Sequence, residues 1–306
     1  MSVELHPPRL DETADLAALA NRYSGELYDE RDESGESVKL WLTGPDLNPE
    51  TDARVAVRGG ELMGYADLGA HPDPKYWADL RVPPSEDDDV RILLLRWLEE
   101  RASERVAGRA GGLLRCFAWS VDEAFNRLLE ASGYELIRHS YRMQIEFGGD
   151  VPEPRWPEGI AVRPAAEGDF EAAYEANQES FEDSWEHTRD PFDEWSHWMT
   201  SYEGFDPSLW FLAEEGGELA GVCLCRLHEA DERLGFVRVL GVRRPWRRRG
   251  LGRALLLHSF HEFLRRGTKG VGLGVDADSL TGADLLYEDV GMRIVRQSNI
   301  WDKPLS

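Results

Sequence analysis

The chain has 306 residues and a formal net charge of −23, with 58 acidic and 35 basic side chains, and 42% of its residues are hydrophobic. This composition indicates a globular protein and argues against a general nucleic-acid binder, because phosphate backbones select basic surfaces. The N-terminus has no signal-like apolar run, and no stretch approaches the ~20 apolar residues that span a bilayer, so we expect a cytoplasmic protein without membrane contact.

Two patterns organise the first half of the chain. Residues 54–68 alternate apolar and polar side chains around Gly59 and Gly60, which predicts a hairpin of two half-buried strands. Residues 148–159, GGDVPEPRWPEG, are rich in proline and glycine, as is typical of a linker. Because domains usually have roughly 100–200 residues, we predict an N-terminal domain at 1–148, a linker at 149–159 and a C-terminal domain at 160–306.

The second half predicts strands alternating with helices. Thr281 and Asp284 form a capping pair before a helix that carries Tyr287 and ends at Gly291, where a last strand follows. The other predicted elements are a strand beginning at 161–163, helices at 165–180 and 193–202, a hairpin at 210–227, a strand at 236–242, a helix at 251–266 and a short strand at 271–277.

The chain contains an internal repeat. The hairpin at 54–68 has a counterpart at 210–227, with Gly216 lying 157 positions after Gly59. A helix, a glycine and an alternating stretch also occur twice, with Gly291 lying 158 positions after Gly133. Matching blocks in the same order at a nearly constant offset predict two copies of one fold.

An arginine-rich loop joins the strand at 236–242 to the following helix. A strand that runs into a glycine-bearing turn and a helix exposes unpaired N–H groups at the positive end of that helix, where phosphate binds well. The loop lacks the Lys-Ser/Thr pair of a P-loop and does not match GxGxxG. A solvated basic turn is the alternative, and it does not explain the paired Gly250 and Gly252. The arginines of the loop are Arg243, Arg244, Arg247, Arg248, Arg249 and Arg253.

The loop and the last helix resemble the GNAT N-acetyltransferase superfamily. Arg247, Gly250 and Gly252 match the family motif Q/R-x-x-G-x-G/A, and the segment A-x-x-L-Y-E-x-x-G-M at 283–292 is similar to the family's later A-x-x-L-Y-E-K-x-G-F. With the repeat, this resemblance implies an α/β (α+β) fold of two tandem GNAT-like domains. Each would be a mixed, mostly antiparallel twisted sheet flanked by helices.

The resemblance also implies a place for acetyl-CoA. Its pantetheine arm would pair with the strand before the loop, its pyrophosphate would lie on the loop, and Tyr287 would protonate the departing CoA thiolate. The residues implied to bind the cofactor are Leu240, Gly241, Val242, Arg247, Arg248, Arg249, Gly250, Leu251, Gly252 and Arg253.

The acceptor side is less defined by the sequence. In the family, the segment at 180–210 roofs the acceptor site, and its carboxylates and aromatic rings could bind a cationic, partly apolar amine. Its stripe of Trp195, Trp198 and Met199 could instead belong to the core. A base must also take a proton from the amine, and spacing does not choose among the candidates, which are His228, Glu229, Asp231, Glu232 and Asp276.

The first copy differs from the second at the implied site. By the repeat offset, Leu129 stands where Tyr287 does, and the acidic run SEDDDV at 85–90 stands near the position of the arginine loop. Carboxylates repel pyrophosphate, so we expect a degenerate N-terminal domain; a ligand of its own is the alternative. The tandem arrangement resembles that of mycothiol synthase and its relatives, whose fourth strand carries a carboxylate near the position of Phe236.

These features predict an acetyl-CoA-dependent N-acetyltransferase that moves an acetyl group from the thioester directly to a primary amine of a small molecule. The alternative, motivated by Phe236, is a non-catalytic acyl-CoA-binding or interaction module that retains the fold. We expect a small-molecule amine as partner, no nucleic acid, and a monomer or homodimer. Cys116, Cys223 and Cys225 are an odd set without completing ligands, so we expect buried, reduced thiols and no metal.

Overall fold

A computed structural model describes residues 2–31, 33–70, 74–228, 233–278 and 282–305. Two compact units divide the chain: unit 1 comprises Met1–Ser140 with Arg296–Ser306, and unit 2 comprises Tyr141–Val295. Three of the candidate bases and the expected helix cap lie outside the described residues; these are Glu229, Asp231, Glu232 and Thr281.

The helices and strands follow the predicted order in the second half. In the first half they are β1 (Glu4–His6), α1 (Thr13–Tyr28), α2 (Gly35–Leu42), α3 (Pro49–Asp52), β2 (Ala53–Arg58), β3 (Glu61–Ala70), β4 (Lys75–Arg81), α4 (Asp88–Val106), β5 (Leu113–Trp119), α5 (Glu123–Ala131) and β6 (Glu135–Glu146). In the second half they are β7 (Ile160–Pro164), α6 (Phe170–Phe181), α7 (Phe192–Thr200), β8 (Trp210–Glu215), β9 (Glu218–Leu227), β10 (Leu234–Val242), α8 (Leu251–Arg265), β11 (Gly270–Asp276), α9 (Ala283–Asp289) and β12 (Arg293–Pro304).

Each unit contains a mixed, mostly antiparallel sheet. In unit 1 the strands lie in the order β1-β2-β3-β4-β5-β12, and β4 and β5 are parallel. In unit 2 the order is β6-β11-β10-β9-β8-β7, and β10 and β11 are parallel. The predicted fold class is confirmed.

The internal repeat is visible in backbone conformation. The hairpin turn at Gly59 has φ values of 62° and 88° at its two glycines, and the turn at Gly216 has 61° and 86°. Both turns need positive φ at two successive positions, which glycine adopts without strain. The register irregularity after Ala56 in one hairpin recurs after Ala213 in the other, again 157 positions later.

The compact units differ from the boundaries expected from the linker. The end of β12 pairs with β5, from Ser298 opposite Trp119 to Pro304 opposite Leu113, so the last strand completes the sheet of unit 1. The end of β6 belongs to unit 2, where it lies next to β11. The physical reason is strand pairing, which joins segments that are distant in sequence. Residues 149–159 have no helix or strand, and within them Trp156 packs against the core of unit 2.

Apolar cores cover both faces of each sheet. In unit 1, α4 and α5 pack on one face with Leu94, Leu98 and Phe125, and α1 and α2 pack with residues of β2 and β3 in a second cluster. In unit 2, α8 and α9 pack on one face, and α6 and α7 pack on the other. Within the described residues, no helix is both long and apolar enough to cross a bilayer.

Candidate functional site

In unit 2, β10 and β11 diverge before β10 ends. The two parallel strands pair from Leu234 opposite Gly270 to Val237 opposite Leu273. Among the residues that the structure describes, β10 pairs from Val239 to Val242 only with β9, so its other edge presents backbone groups to the opening. A register irregularity between Val237 and Val239 marks the start of this divergence. Leu240, Gly241 and Val242 therefore lie where an extended ligand could form backbone hydrogen bonds.

The loop after β10 has an unusual backbone. Arg248 has φ of 63° and Gly250 has φ of 84°, so two left-handed residues precede α8 within three positions. A left-handed arginine is strained by about 1–3 kcal/mol, and such strain is often found at functional sites. A Cβ added at Gly250 would meet nothing within 4 Å, so space is open beside the turn.

The N-terminus of α8 is open to an anion. Gly250 provides no side-chain cap, and the first turn contains no acidic residue. The first hydrogen bond of the helix runs from the Ala254 N–H to the Gly250 carbonyl, so the N–H groups of the first turn have no partner from this cap. These donors, together with the helix dipole, form a cradle that suits phosphate.

Most of the arginines in the loop are engaged with carboxylates. The Arg249 guanidinium lies 2.6 Å from Glu215 and lowers the pKa of that carboxyl to about 2. Arg244 and Arg247 both bind Asp183 and likewise lower its pKa to about 2. The remaining pairs are Arg243 with Glu179 at 2.6 Å and Arg253 with Asp289 at 2.7 Å.

The arginines therefore have two different structural roles. Arg247 also donates to the carbonyls of Val242 and Ser180, at 3.0 Å each, and so clamps the loop to the end of β10 and to α6. Arg248 is exposed and forms no hydrogen bond or ion pair with any described residue. The sequence did not reveal these pairs, although an excess of acidic over basic side chains makes carboxylate partners for arginine probable on charge grounds alone.

The helix α9 brings Tyr287 to the same region. Gly252, in the first turn of α8, has the side chains of Leu286 and Val242 at contact distance, 3.6 Å from the position of a Cβ. This contact connects the loop, the end of β10 and α9. Tyr287 is 7% exposed and packs in the core cluster formed with α8.

Burial keeps the Tyr287 hydroxyl protonated. Desolvation, followed by the nearby Cys223, raises the pKa of the phenol above its usual value. A buried phenol remains a proton donor at neutral pH, and burial also raises the basicity of a thiolate that forms beside it. Tyr287 is therefore chemically suited to protonate a buried thiolate, as its position in the motif implied.

The other face of the β9–β10 pair carries a cluster of positive charge that sequence reasoning missed. The Arg142 guanidinium lies 4.2 Å from the centre of the Phe236 ring, and the Arg226 guanidinium lies 5.7 Å from it. Gly272, opposite Phe236 in the register, leaves room for Arg142. Arg238, on the irregular segment of β10, donates to the Trp198 carbonyl, and burial lowers its pKa.

The structure shows which residues of the α7 stripe belong to the core. Trp195 and Met199 are 6% and 4% exposed and belong to the core with Tyr174 and Trp210. Trp198 is not part of that cluster, and its carbonyl faces Arg238. The core interpretation is therefore confirmed for Trp195 and Met199.

The remaining side chains singled out from the sequence are two candidate bases, Asp276 and His228, and the three cysteines. Asp276 ends β11, and its carboxylate accepts a hydrogen bond from the backbone N–H of Asp278 at 3.1 Å. The backbone N–H of His228 donates to the Leu234 carbonyl. All three cysteines are buried and free, with 3.5 Å between the sulfurs of Cys223 and Cys225. No cluster of potential metal ligands occurs among the residues that the structure describes.

Comparisons with known proteins identify the family of the chain. Residues 170–292 match the family model described as Acetyltransferase (GNAT) family. The mycothiol acetyltransferase of Streptomyces coelicolor is 32% identical over 294 residues, covering 94% of this chain and 89% of that protein. The mycothiol acetyltransferase of Geodermatophilus obscurus is 32% identical over 297 residues, covering 92% of each.

Solved structures share the fold. A GCN5-related N-acetyltransferase from Sphaerobacter thermophilus is similar with a TM-score of 0.82 and 31% identity, covering 99% of this chain and 95% of that one. A tandem GNAT protein from the clavulanic acid biosynthesis pathway has a TM-score of 0.76 at 16% identity, covering 99% and 98%, and shows the shared fold. The chain therefore belongs to the GNAT acetyltransferase family and is a tandem-domain acetyltransferase.

Proposed function

We propose that unit 2 transfers the acetyl group of acetyl-CoA directly to a primary amine of a small molecule. The observation that carries the proposal is the open N-terminus of α8, placed at the end of a strand that diverges from its parallel neighbour. Acetyl-CoA presents a pyrophosphate and an extended amide-bearing arm, which suit an amide cradle and an unpaired strand edge respectively.

Each cofactor-binding residue has a role that follows from its position. Leu240, Gly241 and Val242 supply the strand edge for the pantetheine arm, and the N–H groups of Leu251, Gly252 and Arg253 hold the pyrophosphate. Gly250 keeps the approach open, and Arg248 adds an uncommitted positive charge. Arg247, Arg249 and Arg253 hold the loop in shape through their carboxylate partners.

The chemistry proposed is a direct attack. The neutral amine adds to the thioester carbonyl, and a backbone N–H at the end of β10 stabilises the oxyanion that forms. The C–S bond then breaks, the amide forms, and the Tyr287 hydroxyl protonates the departing thiolate. The proton lost by the amine goes to a base for which His228 and Asp276 are the described candidates, directly or through water.

Charges near the opening bear on the acceptor. Phe236 stands where the relatives that the sequence resembled carry a carboxylate, and Arg142, Arg226 and Arg238 surround this position. Because the curated relatives are named for mycothiol, a mycothiol-type amine belongs in any acceptor panel.

The test is the release of CoA thiol with a panel of amines. We expect at least one amine to accelerate thiol release, and Tyr287→Phe to lower kcat about 100-fold, the usual size of a general-acid contribution. Phenylalanine keeps the buried ring, so thermal stabilisation by acetyl-CoA should match that of the unmodified chain.

The alternative is a non-catalytic acyl-CoA-binding module, which Phe236 favours because it removes a possible base. Such a module would be stabilised by acetyl-CoA, yet no amine in a broad panel would accelerate thiol release. That outcome, or a Tyr287→Phe variant as active as the unmodified chain, would contradict the proposed chemistry.

A further inference from the structure

The hairpin that joins β8 to β9 contacts both ends of the arginine loop, which runs from β10 to α8. Glu215 and Glu218 are directly opposite each other across the hairpin turn. Glu218 lies 3.2 Å from the guanidinium of Arg243, where the loop begins. Glu215 accepts two hydrogen bonds, of 2.6 and 3.0 Å, from the guanidinium of Arg249, near the end of the loop. Like charges directly opposite each other destabilise a sheet, and these arginines compensate the two carboxylates.

Glu215 binds the loop on both sides of its strained residue. Arg248 has a left-handed φ of 63°. Two positions earlier, the indole N–H of Trp246, a residue that is 6% exposed, donates to the Glu215 carboxylate at 2.7 Å. One position later, Arg249 donates to the same carboxylate. A strained backbone persists only where the surrounding contacts determine it fully, and Glu215 supplies such contacts to both neighbouring segments.

The end of the linker packs beside the same carboxylate. The Arg249 guanidinium also donates to the Glu158 carbonyl at 3.3 Å. Gly159 has φ of 81°, and a Cβ at this position would lie 3.2 Å from a carboxylate oxygen of Glu215, closer than most Cβ atoms come to a neighbour. Glycine at 159 therefore permits the approach. Glu215 joins three segments of unit 2: the hairpin, the loop and the linker.

Unit 1 contains the same contact with the charges reversed. Arg58 ends β2 and lies 157 positions before Glu215, the offset of the internal repeat. Its guanidinium lies 2.8 Å from Asp87 and 2.7 Å from Asp89, at the start of α4. In both copies, the last residue before the hairpin turn holds the segment that leads into the next helix. Because unit 2 has its acid on the hairpin, the start of α8 keeps its positive end.

We propose that Glu215 is a positioning residue that sets the affinity of unit 2 for coenzyme A. Through Trp246 and Arg249 it holds the arginine loop in the conformation that presents the N–H groups at the start of α8. A carboxylate repels a diphosphate, so Glu215 acts through these partners and not by touching the ligand. This role rests on the acetyl-CoA site proposed for unit 2, and it adds a residue that the loop motif does not contain.

Loss of this carboxylate should release the strained segment. Arg248 can then leave the left-handed region, and the loop samples conformations that no longer present the N–H groups together. Affinity falls in proportion to the population of the binding-competent conformation, so a loop ordered for about a tenth of the time would bind coenzyme A about tenfold more weakly. The value of kcat should change little, because Tyr287 and the end of β10 are not altered.

The first measurement is hydrogen exchange of the ligand-free chain and of Glu215→Gln. Glutamine keeps the length of the side chain and an oxygen that can accept from Trp246, but it has no charge to hold Arg249. The backbone N–H groups of Trp246 and Arg247 donate to carbonyls within the loop, at 3.0 and 3.2 Å. We expect these amides to exchange about fivefold faster or more in the variant, because the loop opens more often.

The second measurement is calorimetric titration with coenzyme A. Glu215→Gln should bind about tenfold more weakly than the unmodified chain. With any amine that accelerates thiol release, the KM for acetyl-CoA should rise by a similar factor while kcat stays within about twofold. A change in the loop alone predicts this separation of KM from kcat, whereas general damage to the fold would lower both affinity and kcat.

The matched control is Glu214→Gln. Glu214 precedes Glu215 in β8, and it lies 2.7 Å from the guanidinium of Arg163 on β7, outside the loop. Both carboxylates are partly exposed, with 28% and 35% of their side-chain surface accessible, so both variants should fold, which melting temperatures check. Glu214→Gln also loses one pair between a carboxylate and an arginine, but its loop exchange and its affinity for coenzyme A should match those of the unmodified chain.

Three outcomes would overturn the role of Glu215. They are a Glu215→Gln variant that binds coenzyme A within about twofold of the unmodified chain, an equal loss of affinity in Glu214→Gln, and weaker binding without faster exchange in the loop. An unmodified chain that gives no heat with coenzyme A overturns this role together with the proposed cofactor site. A chain that binds coenzyme A but releases no thiol with any amine contradicts only the transfer chemistry, and the calorimetric comparison still decides the role of Glu215.

Discussion

Units 1 and 2 each contain two parallel strands connected by a helix, but the first turns of the two helices differ in charge. In unit 1, α4 starts at Asp88 and Asp89, and Arg58 lies 2.8 Å from Asp87 and 2.7 Å from Asp89. In unit 2, the first turn of α8 contains no acid and follows a turn at Gly250. Both helices have a positive end, but unit 1 neutralises it with its own side chains. The fold alone therefore does not make an anion site.

The first strand of each parallel pair differs in the opposite sense. By the repeat offset of 157, Asp79 of unit 1 corresponds to Phe236 of unit 2, and Arg81 corresponds to Arg238. Unit 1 keeps the facing carboxylates of Asp67 and Asp79 beneath its first two helices without an open cradle, whereas unit 2 keeps the cradle without those carboxylates.

The largest expected effect comes from giving α8 the charge of α4. Gly252→Glu places a carboxylate in the first turn of α8, next to the amides that we assign to the pyrophosphate. We expect the affinity for CoA to fall about 100- to 1000-fold, measured by calorimetry, because a buried like-charge contact costs several kcal/mol. An acid at this position favours the helix itself, so the melting temperature of the ligand-free chain should not fall.

Gly252→Ala is the matched control. A Cβ at this position meets Leu286 and Val242 at 3.6 Å, an ordinary contact distance, so alanine should bind CoA within about threefold of the unmodified chain. Equal affinity of the glutamate and alanine variants would show that the pyrophosphate lies elsewhere.

An effect of similar size is expected on the stability of unit 1. An aspartate has an ordinary pKa of 3.8, and that of Asp67 in the fold is about 7. Between these values the folded chain holds a proton that the unfolded chain has lost, so the free energy of unfolding falls as pH rises from about 4 to 7. Asp67→Asn cannot ionise, and it should raise the free energy of unfolding by roughly 4 kcal/mol at pH 8 and leave it unchanged at pH 4.

Denaturant unfolding of both chains at the two pH values measures this difference. A variant that is equally stable at pH 8, or less stable there than the unmodified chain, would mean that the facing carboxylates carry no strain. The contrast between Asp79 of unit 1 and Phe236 of unit 2 would then lose its physical basis.

The fold was predictable where local chemistry determines it. The Gly59 and Gly216 turns require positive φ at successive positions, and only a few residue types allow that, so the sequence alone revealed both hairpins and their repeat. The assignment of β12 to unit 1 was not predictable, because β6 and β12 are similar strands and either could complete either sheet. Pairing between distant strands depends on the whole sheet, which periodicity does not describe.

The site was predictable in its backbone and not in its charges. Glycines at 250 and 252 between a strand and a helix predicted an open turn, and Gly250 precedes α8 there with a left-handed φ of 84°; that this turn holds a pyrophosphate stays a prediction. The carboxylates that bind the loop arginines, such as Asp183 and Glu215, lie more than thirty residues away, and sequence spacing does not identify them. Asp67 offered one signal that was not used: it alternates with the buried Ala66 and Leu68 in a strand between two helical layers.

The smallest expected effect separates the two kinds of arginine in the loop. Arg248→Gln removes the exposed guanidinium that no described carboxylate engages, and we expect CoA to bind about fivefold more weakly, with a smaller dependence on salt. Arg244→Gln removes a nearby guanidinium that is also exposed and is bound to Asp183. Because its charge is already compensated, this control should change CoA affinity less than twofold. If both variants lose affinity equally, the net charge of the loop attracts CoA. If only Arg248→Gln loses affinity, the attraction comes from the Arg248 guanidinium, which no described carboxylate engages.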